Sequence, residues 1–174
     1  MALSYGKGVA LLRIGFGLYF LSQAVDKLTK GWLSSPQMLL GTFINPALER
    51  GTAQGFYRPF LEYVVQPNAA LFAQLVTIGE ALVAVSLILG LLTRAGAIGA
   101  AFLPLNYMLM KGLLNNGGSS DRLFFLAGVV FFATSAGLVW GLDGKLRTVL
   151  EGNALTRWIA GLSGSAPREV AAGS

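Results

Sequence analysis

Residues 68–114 read NAALFAQLVTIGEALVAVSLILGLLTRAGAIGAAFLPLNYMLMKGLL. Two apolar windows, 68–92 and 95–114, are separated only by Thr93 and Arg94. Each has the roughly 20 residues that a helix rising about 1.5 Å per residue needs to cross about 30 Å of hydrocarbon. So short a break makes the two an antiparallel helical hairpin. Inside the hairpin stand one acid, Glu80, one interior proline, Pro104, and the polar pair Asn106 and Tyr107.

Outward from this hairpin, residues 9–28 and 123–142 form two more windows of the same kind. The four windows hold five charges (Arg13, Asp26, Lys27, Glu80 and Lys111), against sixteen in the rest of the chain. Only 12% of the 174 residues are charged, about half the usual share of roughly 25%, so little charge is left to clothe a water-facing surface. The fold expected is all-α: an integral membrane four-helix bundle over residues 1–146, followed by a small, polar tail, 147–174. Four crossings put both termini on one side. Lys and Arg near span ends number six on each side, and Lys145 with Arg147 directly at a span end points to both termini being cytoplasmic, in a multi-pass protein of the cytoplasmic (inner) membrane. The first window is too long, too interrupted by Arg13 and too lacking in a small-residue cleavage site to read as a removed signal peptide.

The long connection 29–67 is expected to cap one mouth of the bundle with two short interfacial helices. Ser35-Pro36 is a helix-start signature, with Met38, Leu39, Phe43 and Leu48 following. A second start comes near Gln54-Gly55, where Phe56, Tyr57, Phe60, Leu61, Tyr63 and Val64 alternate with Arg58 and Glu62. Trp32, Phe43, Phe56, Tyr57 and Phe60 are expected to be exposed. The connection between the third and fourth windows carries Asn115-Asn116-Gly117-Gly118.

The chain has no Cys and no His. It has no thiolate nucleophile, no disulfide and no imidazole ligand for haem or zinc, so no metal and no intrinsic cofactor are expected. The 13 basic residues are scattered singly or in pairs, which gives no nucleic-acid footprint. The partners expected are the lipid bilayer and other protein subunits.

An ionisable group inside a span costs about 2.5–3.5 kcal/mol on insertion scales and needs a reason to be there. Glu80 lies twelve residues from Leu92, about 18 Å by helical rise, and Asn106 lies eleven from Ala95, about 17 Å. The two are expected at one depth, joined by Tyr107 and Tyr19, with Pro104 leaving the carbonyl of Ala100 without its helical donor and a kink opening a cavity. Glu80, Asn106, Tyr107, Tyr19 and Lys111 are the candidate ligand-binding residues. The plainer reading is a protonated Glu80 that hydrogen-bonds to Asn106 or to backbone and holds the hairpin in register. Gln23, Asp26, Lys27 and Asp121, at the mouth beside the cap, form either a polar vestibule or local pairs that anchor helix ends. Arg13, about 6 Å inside its span by rise, is expected to snorkel to the interface rather than reach Glu80. Gly15, Gly17, Gly96, Gly99 and Gly128 permit close helix approach.

The runs LLRIGFGLYFLSQAVDKL, GEALVAVSLILGLLTRAGA, NYMLMKG with the following Asp121, and AGLVWGLDGKL resemble, in their order and spacing, the DoxX-like membrane proteins, and especially the branch related to the DoxD small subunit of thiosulfate:quinone oxidoreductase. The resemblance covers most of residues 11–146. It implies a four-helix bacterial or archaeal membrane protein associated with partner subunits. The positions matching the family's polar features are Asp26, Lys27, Glu80, Arg94, Asn106 and Asp121, none with an assigned catalytic role.

Three functions are in contention. The first is a membrane subunit of a quinone-linked redox complex, supplying anchorage and a quinone-facing polar pocket. It has no catalytic activity alone, because a partner must bring the redox chemistry. The second is a structural or assembly subunit that docks on a partner through its aromatic cap. The third, a small transporter, lacks the paired, broken repeat segments expected of such folds.

Overall fold

The computed structural model describes residues 4–114, 119–150 and 152–162. The expected 115–118 connection and the tail from 163 lie outside the described residues. The chain is all-α, with no strand among those residues. Four long helices pack side by side: α1 (Tyr5–Thr29), α4 (Ala69–Leu89), α5 (Thr93–Lys111) and α6 (Ser119–Ala133), with α2 (37–49) and α3 (58–65) between the first two. Helix α1 lies along α4, α4 along α5 and α5 along α6. A stack of Tyr19 on Phe124 (ring centroids 4.1 Å apart) and an edge contact of Phe16 on Phe124 join α6 back to α1.

Two of these helices, α1 and α4, are long and apolar enough to cross a membrane. Helix α5 carries Arg94, Asn106 and Lys111, and α6 is only 15 residues long, about 22 Å by helical rise. The window 123–142 is therefore not one helix. It ends at Ala133, turns at Thr134-Ser135, and continues as a short 3-10 turn, Ala136–Leu138, and an extended Val139. Ser135 adopts a left-handed conformation with φ 48°, which stops the helix.

Helix α4 is apolar nearly all round, and its one charged residue, Glu80, lies inside, unlike a helix on the surface of a water-soluble domain. Its buried face carries Ala69, Ala73, Thr77, Glu80, Val83, Ala84 and Leu87. Its exposed face carries Leu71, Leu75, Ile78, Leu82, Val85 and Leu89, a helical stripe of large apolar side chains. Leu11, Leu18, Leu21, Val25 and Leu28 repeat that pattern along α1.

The turn of the hairpin is Gly90–Leu92, and Thr93 and Arg94 belong to the first turn of α5. Gly90, left-handed at φ 62°, caps α4 by bonding back to Ser86, the geometry glycine adopts at least cost. Helix ends leave backbone groups unpaired, and here two buried charges serve them. Arg13 is fully buried and donates to the carbonyls of Leu87 and Trp140, so it does not snorkel: a cation lies against the C-terminal end of α4. Asp143, also fully buried, accepts from the amide of Leu92 at 2.7 Å and from the amide and hydroxyl of Thr93 at 2.9 and 2.6 Å. An anion thus caps the N-terminus of α5. Both signs suit the helix dipoles.

Close approach sets the register. A Cβ on Gly17 would fall 2.8 Å from the backbone nitrogen of Ile88. One on Gly128 would fall 2.7 Å from the backbone nitrogen of Ala101. Gly96 faces Ser86 and Gly99 faces Val83. Gly15, expected to share this role, has nothing near it.

The cap begins where Ser35-Pro36 predicts, with helix from Gln37. Both cap helices contain a wide, π-type turn, 40–44 and 61–65, closed by the amides of Asn45 and Gln66 on Leu40 and Leu61. Each closing residue precedes a proline, Pro46 or Pro67, whose ring crowds the preceding turn and whose nitrogen cannot donate, so the turn widens. Between the two helices, the Gln54 amide and the Thr52 hydroxyl bond to the carbonyls of Leu109 and Met110 at 2.9 and 3.0 Å. The connection thereby satisfies the C-terminal end of α5.

These contacts predict that Gly128→Leu or Gly17→Leu lowers stability by about 1–3 kcal/mol through overpacking, while Gly15→Leu leaves it unchanged. Thermal unfolding of the detergent-solubilised chain measures the difference.

Candidate functional site

Two apolar cores stack along the molecule. One, among the long helices, includes Phe20, Val83, Leu87, Ala100 and Phe131; the other, under the cap, includes Trp32, Leu39, Ile44, Leu61, Val65 and Met110. Where they meet lies a polar chamber of about 90 Å³, lined by Tyr19, Gln23, Lys27, Glu80, Tyr107, Lys111 and Asp121 together with Phe20, Phe43, Leu103, Pro104 and Phe124.

The chamber is held by two ion pairs. Lys27 of α1 donates to Glu80 Oε1 of α4 at 2.9 Å and stands 2.7 Å from Oε2, which it meets at too poor an angle for a hydrogen bond. Both side chains are more than nine-tenths buried. Removed from water, neither charge is tolerable without the other. The Trp32 ring lies 5.2 Å from the same ammonium, adding a cation–π contact on its apolar side. The second pair, Lys111 with Asp121 at 2.9 Å, is about one-third and one-sixth exposed and joins α5 to α6. Lys111 also sits 5.0 Å over the Tyr107 ring. The Tyr107 hydroxyl is buried and has no hydrogen-bond partner among the described residues.

On the far side of Leu103 and Tyr107, which line both spaces, an apolar cleft of about 300 Å³ opens between the cap and the α4–α5 hairpin. Leu39, Tyr57, Phe60, Leu61, Phe72, Phe102, Asn106 and Met110 are among its walls. Its polar feature is a short hydrogen bond, 2.6 Å, from the Tyr57 hydroxyl to Asn106 Oδ1; Asn106 Nδ2 donates to the Phe102 carbonyl at 2.7 Å. Burial pushes the Tyr57 hydroxyl up to about 12, so it remains a proton-bearing donor at any physiological pH.

Of the five candidate ligand-binding residues, four (Glu80, Tyr107, Tyr19 and Lys111) border the chamber, and three of the vestibule residues, Gln23, Lys27 and Asp121, border it with them. The expected meeting of Glu80 with Asn106 does not occur. Gly96 facing Ser86 and Gly99 facing Val83 bring Gly79 opposite Leu103. Asn106 is therefore level with Val76, four residues and about 6 Å from Glu80, and it turns to the cap. Asp26 is exposed and paired with Lys30 at 2.8 Å. Trp32, expected to be exposed, is buried against Lys27. Phe43, Tyr57 and Phe60 are partly buried against the cap core, and only Phe56 of that group stands free in solvent.

Sequence reasoning missed Tyr57 as a polar partner and Asp143 as a helix cap. Asp143 had a signal. The start of α5 has no capping side chain of its own beside the turn, and a buried helix start demands an acceptor from elsewhere.

A family model described as "TQO small subunit DoxD" matches residues 9–163. No curated protein and no solved structure matches the chain.

Glu80→Met or Lys27→Met alone leaves one buried charge unpaired and is expected to cost about 3–5 kcal/mol, whereas the double substitution Lys27→Met with Glu80→Met recovers most of that. Chemical unfolding of the three variants in detergent gives the coupling energy. Additive losses would show that the pair is not coupled.

Proposed function

Because the chain belongs to the DoxD family, we propose that it is the membrane-embedded small subunit of a thiosulfate:quinone oxidoreductase, and that the cleft beneath its cap receives the quinone ring. The proposed setting is the cytoplasmic membrane, with the four long helices as a bundle and both termini cytoplasmic. The apolar stripes facing outward along α1 and α4 favour lipid contact, and the two helices of spanning length agree with it.

The observation that carries the reading is the cleft. At about 300 Å³ it reaches the lower end of the range for small-molecule sites, roughly 300–1,000 Å³; the chamber, at about 90 Å³, is too small for a ring and its tail. A quinone needs an apolar slot with a donor aimed at a carbonyl oxygen. The Asn106 amide has two N–H groups. Phe102 accepts one, and the Tyr57 bond to Oδ1 fixes the plane of the amide, which leaves the second without a part in either bond. That second N–H is the proposed donor to the quinone carbonyl. Glu80, Lys111 and Tyr19, grouped with Asn106 by the sequence, belong to the chamber and not to the ring's contacts. The electrons come from thiosulfate through a partner subunit, since no residue here carries them. Phe56 and Tyr63, both exposed on the cap, offer that partner an apolar, aromatic face.

Decylubiquinone titrated into the detergent-solubilised chain should quench its tryptophan fluorescence saturably, and Asn106→Leu should weaken that binding about tenfold, the worth of one hydrogen bond in an apolar site. Quenching without saturation, or an unchanged dissociation constant in Asn106→Leu, removes the quinone site.

A further inference from the structure

We propose that the polar chamber is the proton supply of the quinone cleft, with the Tyr107 hydroxyl as the group that hands the proton across; the proposal rests on the cleft being the quinone site.

Three spaces share walls, the cleft and the surface groove meeting each other only at the apolar Met110. A surface groove of about 350 Å³, with Thr42, Arg50 and Thr52 on its rim, shares Phe43 and Lys111 with the chamber. The chamber shares Leu103 and Tyr107 with the cleft. Lys111 and its partner Asp121 therefore stand where the chamber meets the surface, and Tyr107 stands where it meets the ring site. The chamber's volume of about 90 Å³ admits several water molecules at about 30 Å³ each, and carboxylates, ammonium groups and hydroxyls on its walls supply the partners such waters need.

The chemistry requires this supply. Reducing a quinone to a hydroquinone takes two electrons and two protons and forms two O–H bonds. Two thiosulfate ions that each give up one electron and join through a sulfur–sulfur bond release no proton. Both protons must come from water, and the cleft walls are apolar apart from Asn106, Tyr57 and Tyr107. Tyr57 is committed to Asn106, and the amide of Asn106 does not act as an acid. Tyr107 alone among the three has a buried hydroxyl with no partner among the described residues. In the step proposed, its O–H bond breaks as the quinone oxygen gains the proton, and the phenolate is reprotonated from the chamber, whose stock is renewed through the groove.

The experiment uses the complex of this chain with its partner subunit, driven by thiosulfate, with two acceptors. Decylubiquinone consumes two protons per turnover; ferricyanide takes electrons and consumes none. Tyr107→Phe removes one oxygen that holds nothing in place, so the fold should persist. The expected result, at saturating decylubiquinone, is a fall of at least about tenfold in its turnover, within the range for positioned proton transfer, with ferricyanide turnover within twofold and a quench that weakens by no more than the roughly tenfold of one lost hydrogen bond. Turnover unchanged from wild type with both acceptors, a parallel loss with both, or a decylubiquinone loss that disappears at saturating quinone each overturns the route. Wild-type chain that does not bind decylubiquinone fails the quinone site itself, a separate result.

Discussion

The structure depends on serving the backbone ends that a tight hairpin leaves unpaired in apolar surroundings. At Gly90–Leu92 the last carbonyls of α4 and the first amides of α5 lie within a few residues of each other, and water is not at hand to satisfy them. Arg13 and Asp143 come from the two ends of the chain to meet them, each with the sign that the adjacent helix dipole favours. The clasp fixes α1 against α4, with Gly17 against Ile88 below it. That register, followed ten residues along α1, about 15 Å, brings Lys27 within side-chain reach of Glu80. The ion pair in the chamber is thus a consequence of how the opposite end is closed.

Buried charge of this kind is a poor source of stability, because desolvation offsets most of the attraction between the partners. Its presence where the bundle core meets the cap core makes more sense as a polar compartment kept at depth. The cap explains why depth is available. Helix α4 begins at Ala69 and α1 ends at Thr29, so α4 runs beyond α1 into the cap, whose loop in turn satisfies the C-terminal carbonyls of α5. The same cap supplies one wall of the apolar cleft. A polar chamber and an apolar slot therefore share a side, divided by Leu103 and Tyr107, and in the proposed function they divide the labour between proton and ring.

Several features were legible in the residues themselves. The all-helical character, the hairpin in 68–114 and the helix start at Ser35-Pro36 follow from composition, spacing and rise. The pairing of Glu80 was not legible, for an identifiable reason. Counting inward from span ends treats every end as level, and that assumption placed Lys27 at the surface and Asn106 beside Glu80. Glycine contacts set the true offsets, and a window of sequence does not say which glycine touches what: Gly17 and Gly128 lie against backbone, while Gly15 touches nothing. Trp32 was misplaced by a related error. An aromatic residue in a connecting segment reads as exposed until an ammonium buried beneath it needs covering.

What the sequence by itself determined is which residues avoid water and at what period, since helical rise and hydrophobic spacing are properties of the local chain. That was enough for the first three long helices, the order of the elements and a list of polar residues with no place among apolar neighbours, but not for the break of the fourth window at Ser135. Only the tertiary structure decided which of those residues met. The offset between neighbouring helices is set by close contacts between residues far apart in sequence: a shift of about one turn, 5.4 Å, between α4 and α5 takes Asn106 away from Glu80, and the separate register of α1 on α4 brings Lys27 to it.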